Sequence, residues 1–327
     1  MQPDYSQLID AETWAFIRRI NAFYPPEAIH WPIERNREVY GRMCRQFHAA
    51  MPVGISVLTT AIILPDRMVP IRVYTSEGGD AAAAVLYFHG GGFILGGLDS
   101  HDDICGEICA KTAMTVVSVD YRLAPEHVGT AAFDDALTAH DWAHATFQLP
   151  LVLVGESAGG TIAACLAGFL SDRGQAPKGQ VLIYPLLSGV NEGPSYDAHA
   201  FAPLLSAADV EYYRSVRGKN TEEDPLFTPL ARASFSGLPP TGVFAAQCDP
   251  LASDGDIYCK QIVAAGGIAW AEQAPGLPHG YLRARTTSTR AQQAFDRIAT
   301  SIATLGREAR HHDYQHNRID SAFRQLS

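Results

Sequence analysis

The sequence has few charged residues, no excess of basic ones and no long apolar run. Asp, Glu, Lys and Arg make up 18% of the 327 residues, and the formal net charge is -10. A surface of that charge does not suit the phosphates of nucleic acids. No stretch reaches the roughly 18 apolar residues of a membrane span, and the first residues lack the basic and apolar segments of a signal peptide. These absences predict a cytoplasmic protein with no nucleic-acid partner and no membrane span.

Cysteine is too sparse for a disulfide scaffold, because only six cysteines are spread through the chain. Cys105 and Cys109 lie four residues apart on a predicted helix and could face a metal ion together. No His or Cys pair at ligand spacing accompanies them. We therefore expect buried free thiols and no metal site.

What the sequence does have is a change of apolar period along the chain. Up to residue 50 the apolar residues recur at helical spacing, and beyond Pro52 β-branched segments alternate with helical ones. Such alternation is typical of a doubly wound, mostly parallel sheet. The predicted strands cover 55–64, 69–74, 83–88, 115–120, 151–155, 180–184, 241–247 and 268–273. The predicted helices cover 9–21, 31–50, 101–111, 133–147, 158–172, 207–216, 251–266 and 288–305.

The segment 186–240 interrupts this alternation with many Pro, Ser and aromatic residues, and we interpret it as an insertion over the sheet. The tail has two interpretations, a solvated segment or an extra helix that packs on a partner subunit in a homodimer. The second rests on Ile319, Phe323 and Leu326, which recur at helical spacing. The predicted parts are therefore an N-terminal helical part (1–52), a core in two pieces (53–185 and 241–306), the insertion (186–240) and a C-terminal tail (307–327).

The motif Gly155-Glu156-Ser157-Ala158-Gly159 stands between a predicted strand and a predicted helix. A tight turn at such a place strains the serine backbone, and small residues two positions before and after it avoid clashes. The N–H groups at the start of the helix point toward the place where negative charge develops in acyl transfer. The motif predicts Ser157 as a nucleophile.

A run of three glycines follows His89 at the end of the third predicted strand. Consecutive glycines let backbone N–H groups approach a reacting carbonyl, so Gly91 and Gly92, with Ala158, are the candidate oxyanion donors. A flexible turn or a phosphate-binding loop is the alternative, but the glycine and lysine spacing of phosphate loops is missing. We expect His89 to hold the loop through backbone hydrogen bonds.

A catalytic serine needs a base, and the base needs an acid that orients it. With this kind of elbow the chain order is serine, acid, histidine. His279 follows the last predicted strand, and Asp249 follows the strand before it. The other downstream histidines lie in the insertion or the tail, and the aspartates at 254 and 256 lie inside the next helix. Asp249 and His279 therefore complete a predicted triad.

These motifs together resemble the hormone-sensitive-lipase family of α/β-hydrolases, and most closely its bacterial acetyl esterases. The likeness runs from about residue 59 to 305 and includes 87–93, 97–102, 120–126, the serine elbow, 249–251 and 279–280. It implies an α/β-hydrolase fold, with a mostly parallel eight-stranded sheet flanked by helices and a helical cap made of 1–52 and 186–240. It also implies hydrolysis of esters with short acyl chains, no cofactor, and the triad and oxyanion donors named above.

The resemblance places an acyl pocket beneath the cap, above Ser157. It further implies that Asp120, Arg122 and Glu126 form an ion-pair cluster that pins their loop. The candidate substrate-binding residues are Phe93, Glu156, Phe201 and Leu205, with Trp14 and Phe16 as further candidates that could equally be plain core.

Three positions depart from the family pattern. Glu156 stands where the family often has aspartate, Ser253 where a second aspartate commonly follows, and Gly129-Thr130 where Phe-Pro is usual. None belongs to the triad, but together they leave the pocket shape and the substrate size open.

Two other functions on this fold stay open. Plant gibberellin receptors resemble the family but lack the catalytic histidine, whereas His279 is present here. Some plant relatives have become lyases that act on hydroxylated substrates, and chromogenic esters would distinguish such a lyase from a hydrolase.

Overall fold

The computed structural model describes residues 3–25, 28, 31–78, 82–218 and 222–307. The described residues form one eight-stranded sheet in the order β1-β2-β4-β3-β5-β6-β7-β8. β1–β2 and β2–β4 are antiparallel, and the remaining neighbours are parallel, which confirms the predicted mostly parallel sheet. The strands are β1 (Ile55–Ile63), β2 (Met68–Ser76), β3 (Ala84–Phe88), β4 (Thr115–Val119), β5 (Leu151–Glu156), β6 (Gly179–Ile183), β7 (Thr241–Cys248) and β8 (Ala269–Pro278).

Helices precede the sheet and alternate with its parallel strands. They are α1 (Tyr5–Leu8), α2 (Ala11–Asn21), α3 (Ile33–Phe47), α4 (Asp102–Thr112), α5 (Ala131–Phe147), α6 (Ala158–Ser171), α7 (Pro194–Ala198), α8 (Ala207–Arg217), α9 (Ala252–Ala264) and α10 (Thr289–Arg307). None of the described helices is long and apolar enough to cross a lipid bilayer.

The central strands β3, β5 and β6 bury both of their faces, because successive side chains point into different cores. Val85 and Tyr87 of β3 join a core that includes residues of α4 and α10. Leu86 and Phe88, their neighbours in sequence, join a second core that includes residues of α5, α6 and α9. Strands covered on both sides read as continuous apolar runs, as β3 and β5 do.

The parallel strands bring four loops to one edge of the sheet. β3 runs into the glycine loop, β5 into Ser157, β7 into Asp249 and β8 into His279. Open α/β sheets bind their ligands outside the carboxyl ends of the strands. The fold therefore collects the motif residues at a single edge.

The insertion contains α7 and α8, and its residues Tyr196, Leu205 and Val210 pack into the second core. α8 begins with a capping box, in which Ser206 Oγ accepts from the Asp209 N–H at 3.1 Å and Asp209 Oδ2 accepts from the Ser206 N–H at 2.8 Å. Whether 1–52 and 186–240 act together as a cap stays a prediction. The predicted tail (307–327) lies outside the described residues except for Arg307, which ends α10.

Candidate active site

Ser157 occupies a tight turn between β5 and α6. Its backbone has φ 52° and ψ -119°, a conformation that residues other than glycine rarely adopt. A Cβ atom at Gly155 would lie 2.2 Å from the carbonyl oxygen of Gly159, and one at Gly159 would lie 2.0 Å from that of Phe88. Only glycine fits at these two positions, so the small residues of the motif are what allows the turn to form.

His279 bridges the serine and the aspartate. Its Nε2 lies 2.9 Å from Ser157 Oγ, and its Nδ1 lies 2.7 Å from Asp249 Oδ2. Asp249 is fully buried, and its Oδ1 accepts the N–H of Leu251 at 2.9 Å. The structure thus brings together three residues that are 30 and 92 positions apart in the sequence, in the arrangement by which a base is oriented against a hydroxyl.

The glycine loop lies beside the start of α6. Gly91 has φ 124° and Gly92 has φ 61°, and a Cβ on Gly92 would lie 2.2 Å from the Tyr213 ring of α8. Within the described part of the chain, the N–H groups of Gly91, Gly92 and Ala158 donate to no backbone or side-chain acceptor. Three unpaired donors beside a serine hydroxyl are able to stabilise an oxyanion.

The buried side chain of Glu156 packs against this glycine loop. Glu156 Oε1 lies 2.6 Å from His101 Nε2, and its Oε2 accepts from the Tyr184 hydroxyl at 2.9 Å. Arg283 is also buried, and its Nη2 lies 3.1 Å from the same His101 nitrogen. Burial alone would raise the pKa of Glu156, but the interactions with His101, Arg283 and Tyr184 lower that pKa to about 2. Glu156 is therefore a charged carboxylate within the core.

These contacts tie Glu156 to both halves of the site. A Cβ at Gly90 would lie 2.7 Å from Glu156 Oε1, so the carboxylate packs directly under the glycine loop. The Tyr184 ring packs on His279, with 4.7 Å between the ring centroids. Glu156 supports the loop and the histidine, whereas the sequence predicted a substrate contact. The physical reason is that both of its oxygens are already bound within the protein.

A sequence profile described as alpha/beta hydrolase fold matches residues 85–283, more than half of the chain. The chain belongs to the α/β-hydrolase family, in its hormone-sensitive-lipase group. It is 34% identical to the carboxylic ester hydrolase LipN of Mycobacterium tuberculosis over 71% of this chain and 67% of that protein. It is 34% identical to the ethyl acetate hydrolase of Pseudomonas putida over 65% of this chain and 71% of that protein.

Solved structures of esterases share the fold of this hydrolase. The hyperthermophilic esterase from Pyrobaculum calidifontis superimposes with a TM-score of 0.83 and 28% identity, covering 91% of this chain and 99% of that one. The ester hydrolase EH1AB1 from the metagenome of Lake Arreo gives a TM-score of 0.84 and 29% identity at the same coverage.

The other predicted substrate-binding residues of this hydrolase have different environments. Phe93 is buried, with φ 66°, and the Arg217 guanidinium stacks 3.9 Å from its ring centroid. Leu205 is buried in the second core, whereas 73% of Phe201 is exposed, so Phe201 does not line an enclosed pocket. Phe16 is buried edge-on against Phe47, which makes it plain core. Trp14 is half-buried and packs on the same core.

The predicted ion-pair cluster around the loop at 120–126 is wrong. Arg122 Nε donates to Asp135 of α5 at 2.8 Å, and Glu126 pairs with Arg37 of α3 at 2.7 Å. Burial raises the pKa of Asp120 to about 6. Arg122 and Glu126 therefore pair with residues of two different helices and not with each other or with Asp120.

The sequence patterns missed three residues near the site. Tyr213 lies over Gly92, as described above. The only feature of the sequence that could have pointed to Tyr213 was its place in the predicted helix 207–216. The Tyr5 hydroxyl lies 3.1 Å from His199 Nδ1. Burial raises the pKa of Tyr5 to about 12 and lowers the pKa of His199, and the charge of the nearby Asp249 acts on both groups to a smaller extent. α1 and the insertion therefore meet close to the triad acid, although they are 194 residues apart in sequence.

Proposed function

We propose that this chain is a serine carboxylesterase that hydrolyses esters with short acyl chains through an acyl-enzyme on Ser157. The observation that carries the proposal is the continuous series of contacts from Asp249 through His279 to Ser157, at 2.7 and 2.9 Å. The hormone-sensitive-lipase relatives named as ester hydrolases support the same reaction class.

The reaction starts when Ser157 Oγ attacks the ester carbonyl while His279 Nε2 accepts its proton. Asp249, buried beside Nδ1, orients the ring and stabilises the imidazolium that forms. The N–H groups of Gly91, Gly92 and Ala158 bind the oxyanion of the tetrahedral intermediate. The C–O bond of the ester then breaks, and the alcohol leaves with the proton from His279.

Water completes the cycle. His279 removes a proton from a water molecule, which attacks the acyl carbon bound to Ser157, and the carboxylic acid leaves as the serine regains its proton. No cofactor takes part in these steps. The preference for short acyl chains is supported by the relative named ethyl acetate hydrolase, and by Tyr213, whose ring lies against Gly92.

Turnover of 4-nitrophenyl acetate by the Ser157→Ala variant tests the proposal. We expect kcat to fall roughly 10⁴- to 10⁶-fold, because the nucleophile is removed. Ser171→Ala is the matched control, since Ser171 only donates to Ala167 within α6. A series of 4-nitrophenyl esters of two to twelve carbons then tests the chain-length preference. Undiminished turnover in Ser157→Ala would contradict the role of Ser157, and binding without turnover in the parent would indicate a receptor.

A further inference from the structure

β1 forms a free edge of the sheet. It stands first in the strand order, so β2 is its only strand neighbour among the described residues. The register between β1 and β2 runs without a bulge from Ile55 to Ile63, and the nine residues of β1 include no charged residue and no proline. Proteins usually protect an edge strand with lysine, proline or a bulge, because an open edge pairs with other strands. β1 has none of these protections.

The backbone groups of alternate residues of β1 point away from β2. At the two ends of the strand, the N–H of Glu77 donates to the carbonyl oxygen of Gly54 at 3.0 Å, and the N–H of Leu64 donates to that of Arg67 at 2.8 Å. These contacts place the hydrogen-bonded pairs at the even-numbered residues of β1, since such pairs alternate along an antiparallel ladder. The N–H and C=O groups of residues 57, 59, 61 and 63 therefore face outward, and no described residue pairs with them.

Exposed apolar side chains accompany this edge. Residues 56–60 are exposed in succession, so neither face of that part of the strand is covered. Of the ten large apolar side chains that are exposed in the described part of the chain, five lie in or beside the hairpin of β1 and β2: Val53, Val57, Leu58, Ile63 and Met68. Apolar groups concentrated beside open backbone groups indicate a surface that another chain covers.

The charged side chains nearest to the edge already have partners. Arg72 of β2 donates to Asp99 and Asp102, each at 2.8 Å. In the turn after β1, Asp66 pairs with Arg67 at 3.3 Å. A copy of the same edge thus meets no row of unpaired like charges, which would oppose pairing of the edge with itself.

β8, at the other edge of the sheet, has a different composition. It contains Glu272, which pairs with Arg297, and the two prolines Pro275 and Pro278. A charged side chain and prolines, which lack an N–H group, are the usual protection of an edge strand. Of the two edges, β1 is therefore the one suited to pair with a further strand.

We propose that β1 pairs antiparallel with β1 of a second copy, about a two-fold axis at Thr60. This register joins residues of one copy to residues of the other in the pairs Val57 with Ile63, Leu58 with Ile62 and Thr59 with Ala61. It places the outward-facing backbone groups opposite one another and apolar side chains beside apolar ones. Strand pairing of this length buries a small interface, so the expected Kd is about 1 to 100 µM.

Sedimentation velocity of the full chain, from about 1 to 300 µM, measures this pairing. We expect a monomer–dimer equilibrium, and we expect Leu58→Lys to raise the dimer Kd at least about tenfold, because the lysine would lie against the apolar Ile62 of the second copy. Val263→Lys is the control, since Val263 is 53% exposed on α9. A parent that stays monomeric throughout, or a dimer whose Kd is unchanged in a Leu58→Lys variant that melts like the parent, would overturn the proposal.

Cysteine cross-linking tests the register. In a non-hydrogen-bonded antiparallel pair the Cα atoms lie about 4.5 Å apart, which is within disulfide range, so Thr60→Cys is expected to form a covalent dimer in a mild oxidant. Ser56→Cys is the matched control, because Ser56 is exposed on the same face but would lie roughly 27 Å from its copy. The six native cysteines are buried and leave the background low.

The yield of covalent dimer decides between pairing at β1 and other contacts. A high yield for Thr60→Cys with little for Ser56→Cys would support the two-fold axis at Thr60. Equal yields for the two variants, or no covalent dimer from either, would overturn the proposal. Both experiments are independent of ester hydrolysis, so the dimer and the proposed function can fail separately.

Discussion

At the scale of single residues, position 92 requires glycine for two separate reasons. Its φ of 61° is unfavourable for other residues, and the Tyr213 ring occupies the space of a side chain. Gly92→Ala is therefore expected to displace the loop and lower kcat for 4-nitrophenyl acetate about a hundredfold, as the loss of one oxyanion donor does. Gly266→Ala is the matched control, because Gly266 has φ 83° and no atom within 4 Å of a Cβ. Equal kcat values for the two variants would contradict the role of the loop.

The buried carboxylate of Glu156 gives a second prediction at this scale. The pKa of Glu156 is lowered from its ordinary value of 4.5 to about 2 in the folded protein. The charged carboxylate therefore stabilises the fold above pH 4.5, and this stabilisation is lost as the pH falls toward 2. We expect the parent to lose this stability between about pH 5 and pH 2, and Glu156→Gln to be less stable at pH 7, since Arg283 loses its counter-charge.

Urea unfolding at pH 7, pH 4 and pH 3 measures this dependence. Glu126→Gln is the control, because the pKa of Glu126 is also lowered to about 2, chiefly by hydrogen bonds from Arg37, but its side chain is 46% exposed. Exposed ion pairs contribute little to stability. A free energy of unfolding that falls with pH equally in the parent and in Glu156→Gln would contradict the prediction.

The residue contacts that sequence could predict are those fixed by strand ends. Ser157, Asp249 and His279 each directly follow a strand, and parallel strands end at one edge, so their meeting followed from the chain order. The environment of Glu156 could not be predicted, because it depends on His101, 55 residues earlier. The same holds for Phe201, whose exposure depends on how the insertion packs.

At the scale of secondary-structure elements, periodicity predicted the long helices and the core strands, because each presents an apolar face or run over many residues. The four-residue α1 and five-residue α7 are too short to show a period. β8 continues to Pro278, beyond the predicted end at 273, because it pairs with β7 through Cys248 despite Pro275 and Gly276.

α8 is the element whose stability matters most to the site, since it carries Tyr213 and Arg217 over the glycine loop. Ser206→Ala removes half of its capping box and is expected to destabilise the helix by about 1 kcal/mol. The expected result is faster hydrogen exchange in 207–217 and a raised KM. Thr300→Ala is the control, as Thr300 only donates to Asp296 of its own helix. Unchanged exchange in α8 would contradict the prediction.

At the scale of the whole molecule, one sheet with two cores holds the site. The fold class followed from the alternation of strands and helices together with the family resemblance, whereas the strand order β1-β2-β4-β3-β5-β6-β7-β8 cannot be read from periodicity. Long-range pairings set that order, and local patterns do not report them. The homodimer, the cap and the cytoplasmic location stay predictions.

The acylation of Ser157 is tested most directly by trapping the acyl-enzyme. The protein is mixed with 4-nitrophenyl acetate, quenched in acid within the burst of nitrophenol release, and digested for mass spectrometry. We predict close to one acetyl group per chain, on Ser157. The His279→Ala variant lacks the base and is the control, which we expect to stay unacylated. Acetyl on another residue, or turnover that leaves Ser157 unmodified at every quench time, would contradict the proposed mechanism.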